Sequence, residues 1–277
     1  MLIEGIKAFI FGVVEGITEW MPVSSTGHML ILNDLLKLNV SSDFYELYEV
    51  VIQLAAILAV FILYFRTLFD FNKDKKHNKK TFNLWGKIII ACIPAGVLGI
   101  LFNDIIDKYL FNSIVVAAML ILYGVIFIIF ENKNIGTKQT KKLEDITYSQ
   151  AFAVGTYQVL SLVPGTSRSG STILGGLLSG FDRKTIADFT FLLAIPVMGG
   201  ASLLKVLKYI KNVGLVFTTT ELTVLIVSCL TAFIVSFFII KYFLAYIKKN
   251  DFKVFGYYRI GLGVVVLLYF IYKSIFV

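Results

Sequence analysis

Two cysteines stand in 277 residues, Cys92 and Cys229, and both lie inside apolar runs. That placement argues against a disulfide, and two thiols say little about the redox compartment. Charge is scarce as well: Asp, Glu, Lys and Arg make up 16% of the chain, against 57% hydrophobic residues. With a mean hydropathy of +0.82, no ordinary soluble domain of this length is so apolar. No low-complexity segment occurs, and the G-x-x-x-x-G-K-[ST] phosphate loop is missing. The N-terminus has neither the basic start nor the small-residue cleavage site of a signal peptide, so no cleaved leader is expected.

What is abundant is apolar and aromatic. The 25 Phe and 14 Tyr suit lipid-facing helices with rings at the interface. The net charge of +8 matches anionic headgroups rather than nucleic acid, because the lysines sit in short loops and form no patch with stacking aromatics. A spanning helix needs about 20 mostly apolar residues. Six segments qualify: 45–65, 84–102, 113–130, 186–206, 221–242 and 254–275. Lys87 and Arg259 fall near the ends of two of them, where long side chains can snorkel.

Residues 4–36 and 148–180 are also apolar, but Pro, Gly and Ser break them near their middles. Each half is about 12–15 residues, too short to cross, which points to two re-entrant helical hairpins. "MPVSSTG" (Met21–Gly27) echoes "VPGTSRS" (Val163–Ser169), and a long helix with an acid near its start, Glu49 or Asp188, follows each. The expected fold is therefore an all-α integral membrane protein with six transmembrane helices and two hairpins in inverted repeats. It would form one membrane domain over 1–277, divided into 1–112 and 113–277.

The lysines orient it. Arg66, Lys73, Lys75, Lys76, Lys79, Lys80, Lys133, Lys138, Lys141, Lys142, Arg183, Lys184, Lys248, Lys249 and Lys253 fall on one set of loops. The opposite loops carry only Lys108, Lys208 and Lys211. The basic set should face the cytoplasm, so that the first hairpin enters from outside and the second from inside.

Chemistry concentrates in the two breaks. Glu15 and Glu19, four residues apart, share one face of a helix. In an apolar setting they must share a proton, meet a cation or bind a divalent metal through oxygen. After Pro22, the run Ser24, Ser25 and Thr26 can cap a half-helix, with His28 one turn on as an acid–base candidate. The second break, Pro164–Thr172, offers Gly165, Ser167, Ser169, Thr172 and one guanidinium, Arg168, whose fork suits phosphate oxygens. Acids and hydroxyls on one side and a cation with N–H donors on the other suit phosphoryl chemistry. Glu49, Gln53 and Asp188 are weaker candidates, Arg259 is a partner for one of these acids, and Tyr148 and Gln150 read as structural.

Glu15–Glu19 running into "PVSSTGH", together with "PGTSRSGST", resembles the bacitracin-resistance type of undecaprenyl-diphosphate phosphatase over essentially the whole chain. The resemblance implies a bacterial inner-membrane enzyme that removes the terminal phosphate of a polyprenyl diphosphate lipid, with bacitracin resistance as a consequence. It implies a site on the outer side and a divalent metal, calcium or magnesium, on Glu15 and Glu19. Catalysis would fall to Glu15, Glu19, Ser25, His28 and Arg168, with Ser25 as nucleophile and His28 as its base or as acid for the leaving group. Attack by His28 or by water is the alternative. Ser24, Thr26, Gly165, Ser167, Ser169 and Thr172 would bind substrate. Return of the lipid monophosphate to the cytoplasmic leaflet by a transporter (flippase) of the same build, alone or as a second activity, is a second reading, and a homodimer is compatible with either.

Overall fold

The computed structural model describes residues 1–71, 74–136 and 142–276, and only the backbone at 75–77, 103, 104 and 107. Lys73, Lys138 and Lys141 lie outside the described residues, as do the side chains of Lys75 and Lys76. The described residues form α-helices and short 3-10 turns with no strand among them. In chain order the helices are α1 (Leu2–Thr18), α2 (Ser25–Leu36), α3 (Ser42–Leu63), α4 (Phe65–Leu68), α5 (Lys75–Tyr109) and α6 (Ser113–Asn132). Further along the chain come α7 (Tyr148–Gln158), α8 (Arg168–Leu178), α9 (Arg183–Asn212), α10 (Thr219–Ile247) and α11 (Lys253–Phe276).

Six helices are long and apolar enough to cross a membrane, and they coincide with the six expected segments. Their outward faces are apolar: Ile100, Leu101, Leu230 and Phe238 are each more than half exposed. In water such a surface would be a liability, whereas in lipid it is the solvated face. Caps set the helix starts. Ser41 accepts the Phe44 N–H at the head of α3, Asp182 accepts the Lys184 and Thr185 N–H groups at the head of α9, and Thr218 forms a reciprocal box with Glu221 at the head of α10. Thr147 and Gln150 do the same for α7, and the Gln150 amide also donates to the Ser179 carbonyl, which makes Gln150 structural as expected.

Each of the two broken stretches is a pair of short helices that pack on each other, α1 with α2 and α7 with α8. At one end of the bundle Ser41 bonds Glu221 and Lys273 bonds Asp34. At the other, Arg183 pairs with Glu131, whose carboxylate also accepts the Phe252 N–H, and Lys80 pairs with Glu144. Glu4 accepts the Asn39 N–H at the former end, and Gln150 meets the Ser179 carbonyl at the latter. The halves exchange partners. α1 packs along α10 while α7 packs along α5, and α6 pairs with α11 and α3 with α9. Close approach of α1 to α10 depends on Gly12 and Gly16. A Cβ at Gly16 would stand 2.9 Å from the Ala232 carbonyl oxygen.

Two side chains expected to snorkel do not. Lys87 is 6% exposed and donates to the Glu144 carbonyl at 2.8 Å. Arg259 is wholly buried. Both found backbone acceptors inside the protein, which removes the need to reach the interface.

Candidate active site

The hairpin tips meet inside the bundle. Ser24 and Ser167, each the residue before a half-helix, share a left-handed backbone with φ of 68° and 74°. A non-glycine residue there costs about 1–3 kcal/mol, and the same strain at both tips marks them as a matched pair. The turn before α8 also needs Gly165 (φ 90°), where an added Cβ would lie 2.5 Å from the Val116 carbonyl oxygen. The heads of α2 and α8 line one cavity of about 170 Å³, with Thr18, Glu19, Ser24, Ser25 and Thr26 from the first hairpin and Ser161, Pro164, Gly165, Ser167 and Arg168 from the second. Gln53 and Met198 complete the wall. At about 30 Å³ per water this holds a phosphate-sized group, not a long lipid chain. The unpaired N–H groups at two helix N-termini favour an anion there.

Glu19 is the centre of the polar network. One carboxylate oxygen accepts the Ser25 hydroxyl at 2.7 Å, and the other accepts Nη2 of Arg168 at 3.2 Å. Nη1 of Arg168 donates to the Thr190 carbonyl at 3.1 Å, its carbon sits 5.9 Å from the Trp20 ring centre, and its Nε has no partner among the described residues. The pair is 7–10% exposed, so it lacks the solvent screening that makes surface pairs weak. Ser169 donates to the Met21 carbonyl at 3.2 Å and stands 3.1 Å from the Ser167 hydroxyl, tying α8 to the first turn. Thr172 donates to the Arg168 carbonyl and accepts from Thr190. Both Ser169 and Thr172 are buried behind the cavity wall, so they support Arg168 and do not line the space.

The remaining candidates separate. Glu15 is 1% exposed, its Oε1 is unpartnered among the described residues, and it lies one turn below Glu19, outside the cavity wall. His28 does not line the cavity either. Its Nδ1 donates to the Ser24 carbonyl at 2.8 Å, and its Nε2 takes the Tyr258 hydroxyl at 2.7 Å under a stacked ring. The carbonyl can only accept, which puts the proton of a neutral ring on Nδ1. Asp188 is tied to Tyr64 (2.5 Å) and Lys184 (3.2 Å), and Glu49 is absent from the wall, so of the three weaker candidates only Gln53 reaches the site.

Arg259 was expected to meet an acid and does not. Its guanidinium donates to the carbonyls of Pro22 (3.1 Å), Gly165 (2.9 Å) and Thr166 (2.9 Å), with a longer contact to Met119 (3.4 Å). Hydrogen bonds from a charged donor contribute about 1.5–3 kcal/mol each, enough together to offset a desolvation cost of several kcal/mol. A carbonyl belongs to every residue type, so nothing in the sequence announces such partners.

Six helices long and apolar enough to span a membrane, an apolar exterior and a cavity between two half-helix heads define a multi-pass membrane protein. More narrowly, the chain belongs to the bacitracin resistance protein BacA family, whose model matches residues 8–265. It is 54% identical over 273 residues to the undecaprenyl-diphosphatase of Lachnoclostridium phytofermentans, covering 97% of this chain and 98% of that one. It is 52% identical to one from Enterococcus faecalis (96% and 97% covered) and 54% identical to undecaprenyl-diphosphatase 1 of Clostridioides difficile (97% of each). These relatives lend no support to the flippase reading.

Proposed function

We propose that the protein hydrolyses undecaprenyl diphosphate to undecaprenyl phosphate and inorganic phosphate, and so recycles the lipid carrier used in cell-wall synthesis and confers bacitracin resistance. The observation that carries this reading is the Glu19 carboxylate, which touches a hydroxyl at the head of one half-helix and a guanidinium at the head of the other. That is a base, a nucleophile and a phosphate-binding cation within one small space.

In this reading the terminal phosphate enters beside Arg168 and the heads of α2 and α8, where Ser24, Thr26, Gly165 and Ser167 add donors or allow close backbone approach. Ser25 Oγ attacks the terminal phosphorus while its proton passes to Glu19. The bond from that phosphorus to the bridging oxygen breaks, and undecaprenyl phosphate leaves. Water then attacks the seryl phosphate, releasing inorganic phosphate, and Glu19 returns the proton to Ser25. Glu19 at 2.7 Å is better placed as the base than His28, whose two nitrogens are engaged elsewhere. The imidazole instead holds the Ser24 carbonyl, and with it the first turn of α2.

A divalent ion suits the donor set in part. Glu15 Oε1 is a buried, unpartnered acidic oxygen one turn from Glu19, but no group of three acidic, His or Cys side chains gathers among the described residues. Calcium or magnesium held by Glu15 and Glu19 would need substrate oxygens to complete its shell, and it would supply charge neutralisation at the phosphate.

We place the protein in the bacterial inner membrane, with α1–α2 and α7–α8 re-entrant and the cavity reached from the outer side. The exchange of partners between halves supports a divide between α6 and α7, later than residue 113. A homodimer is compatible with all of this, although every residue named comes from one chain. The test is phosphate release from undecaprenyl diphosphate by purified protein in detergent. Release with turnover supports hydrolysis, whereas a pure transporter gives none.

A further inference from the structure

Arg259 lies outside both motifs, yet it is the side chain on which the two hairpin turns converge. One nitrogen of its fork binds the Pro22 carbonyl, two residues before Ser24. The other binds the carbonyls of Gly165 and Thr166, directly before Ser167. Those carbonyls belong to the turns whose left-handed residues launch α2 and α8. The guanidinium is wholly buried, meets no carboxylate among the described residues, and lies 5.6 Å from the Tyr123 ring centre. A buried charge is weak evidence for stability, because an apolar side chain of similar volume often serves as well; what this one adds is its donors to the two turns.

We propose that Arg259 is a positioning residue for the phosphatase reaction. By clasping both turns it fixes the spacing of the two half-helix heads, so that one carboxylate, Glu19, reaches Ser25 and Arg168 together. The inference rests on the hydrolase reading but adds a residue on α11 that touches no substrate. Arg suits this role because its planar fork holds two nitrogens at a fixed spacing, one for each turn, whereas a lysine gathers its three N–H donors on a single nitrogen.

The experiment uses full-length purified protein, with Arg259→Met and Arg259→Lys compared with the unaltered chain for kcat, KM and thermal midpoint. Misalignment on the order of an ångström predicts a kcat lower by about 100-fold in Arg259→Met. KM should stay within about threefold, because the Arg168 half of the site is intact. Arg168→Lys should then cost less in the Arg259→Met background than in the native one, since alignment is already lost. Native kcat in folded Arg259→Met overturns the proposal. So does a fall in midpoint with the full Arg168→Lys cost retained, which marks a structural role only. If Arg259→Met does not fold, Arg259→Lys decides: kcat reduced about tenfold or more at unchanged KM supports positioning, and native kcat refutes it. Absence of phosphate release by the unaltered protein would instead defeat the hydrolase reading itself.

Discussion

Ser25 and Arg168 stand at the same structural position, each the first residue of its half-helix, and their side chains meet on opposite oxygens of the Glu19 carboxylate at 2.7 and 3.2 Å. Two halves of a chain that share little sequence thus deliver a hydroxyl and a cation to one acid. The consequences can be measured.

If Ser25 is the nucleophile, its phosphoryl ester forms and decays in each turnover. Acid quench of a reaction carrying label in the terminal phosphate should leave label on the native protein and none on Ser25→Ala, which should lose about 10³-fold or more in kcat. Unlabelled native protein during steady turnover would favour direct attack by water.

Metal dependence should run through Glu15. Chelation is expected to abolish phosphate release, and added calcium or magnesium to restore it. Glu15→Gln should raise the half-saturating metal concentration about tenfold or more, since its Oε1 is a buried acidic oxygen without a partner among the described residues. An unchanged metal titration in that variant would remove Glu15 from the ligand set.

The turn before α8 tolerates glycine alone at position 165. Gly165→Ala forces an L side chain into φ 90° and drives a Cβ to 2.5 Å from the Val116 carbonyl. The left-handed backbone alone costs about 1–2 kcal/mol and the clash adds to it. A thermal midpoint several degrees below native is expected, with reduced activity per folded molecule.

Sidedness is testable by labelling. In a background with Cys92 and Cys229 replaced by Ala, a cysteine at Lys80 should react with an impermeant maleimide only from the cytoplasmic side. One at Lys273, at the opposite end beside Asp34, should react only from outside. The reverse pattern would invert the membrane orientation proposed here.

Much of this is legible in the sequence. Apolar length announces all six long helices, and Pro22 and Pro164 announce the two breaks because serine or glycine stands beside them; proline alone does not end a helix, since Pro94 and Pro196 lie inside α5 and α9. That the two breaks meet followed from their complementary chemistry. Other features carry no local signal. Arg259 binds carbonyls, which every residue owns. His28 and Tyr258 are 230 positions apart, so neither predicts the other. The two motifs also align differently in space than in letters. Ser24 rather than Ser25 is the counterpart of Ser167, since the left-handed turn, not the spelling, sets the register.

The most direct test measures phosphate release from undecaprenyl diphosphate by purified Glu19→Gln and Arg168→Ala beside the native protein, with calcium or magnesium present. Loss of the shared carboxylate or of its cationic partner should each lower kcat/KM by about 10²-fold or more, with the fold retained. Near-native phosphate release by either variant would contradict a site built around Glu19 between the two half-helices.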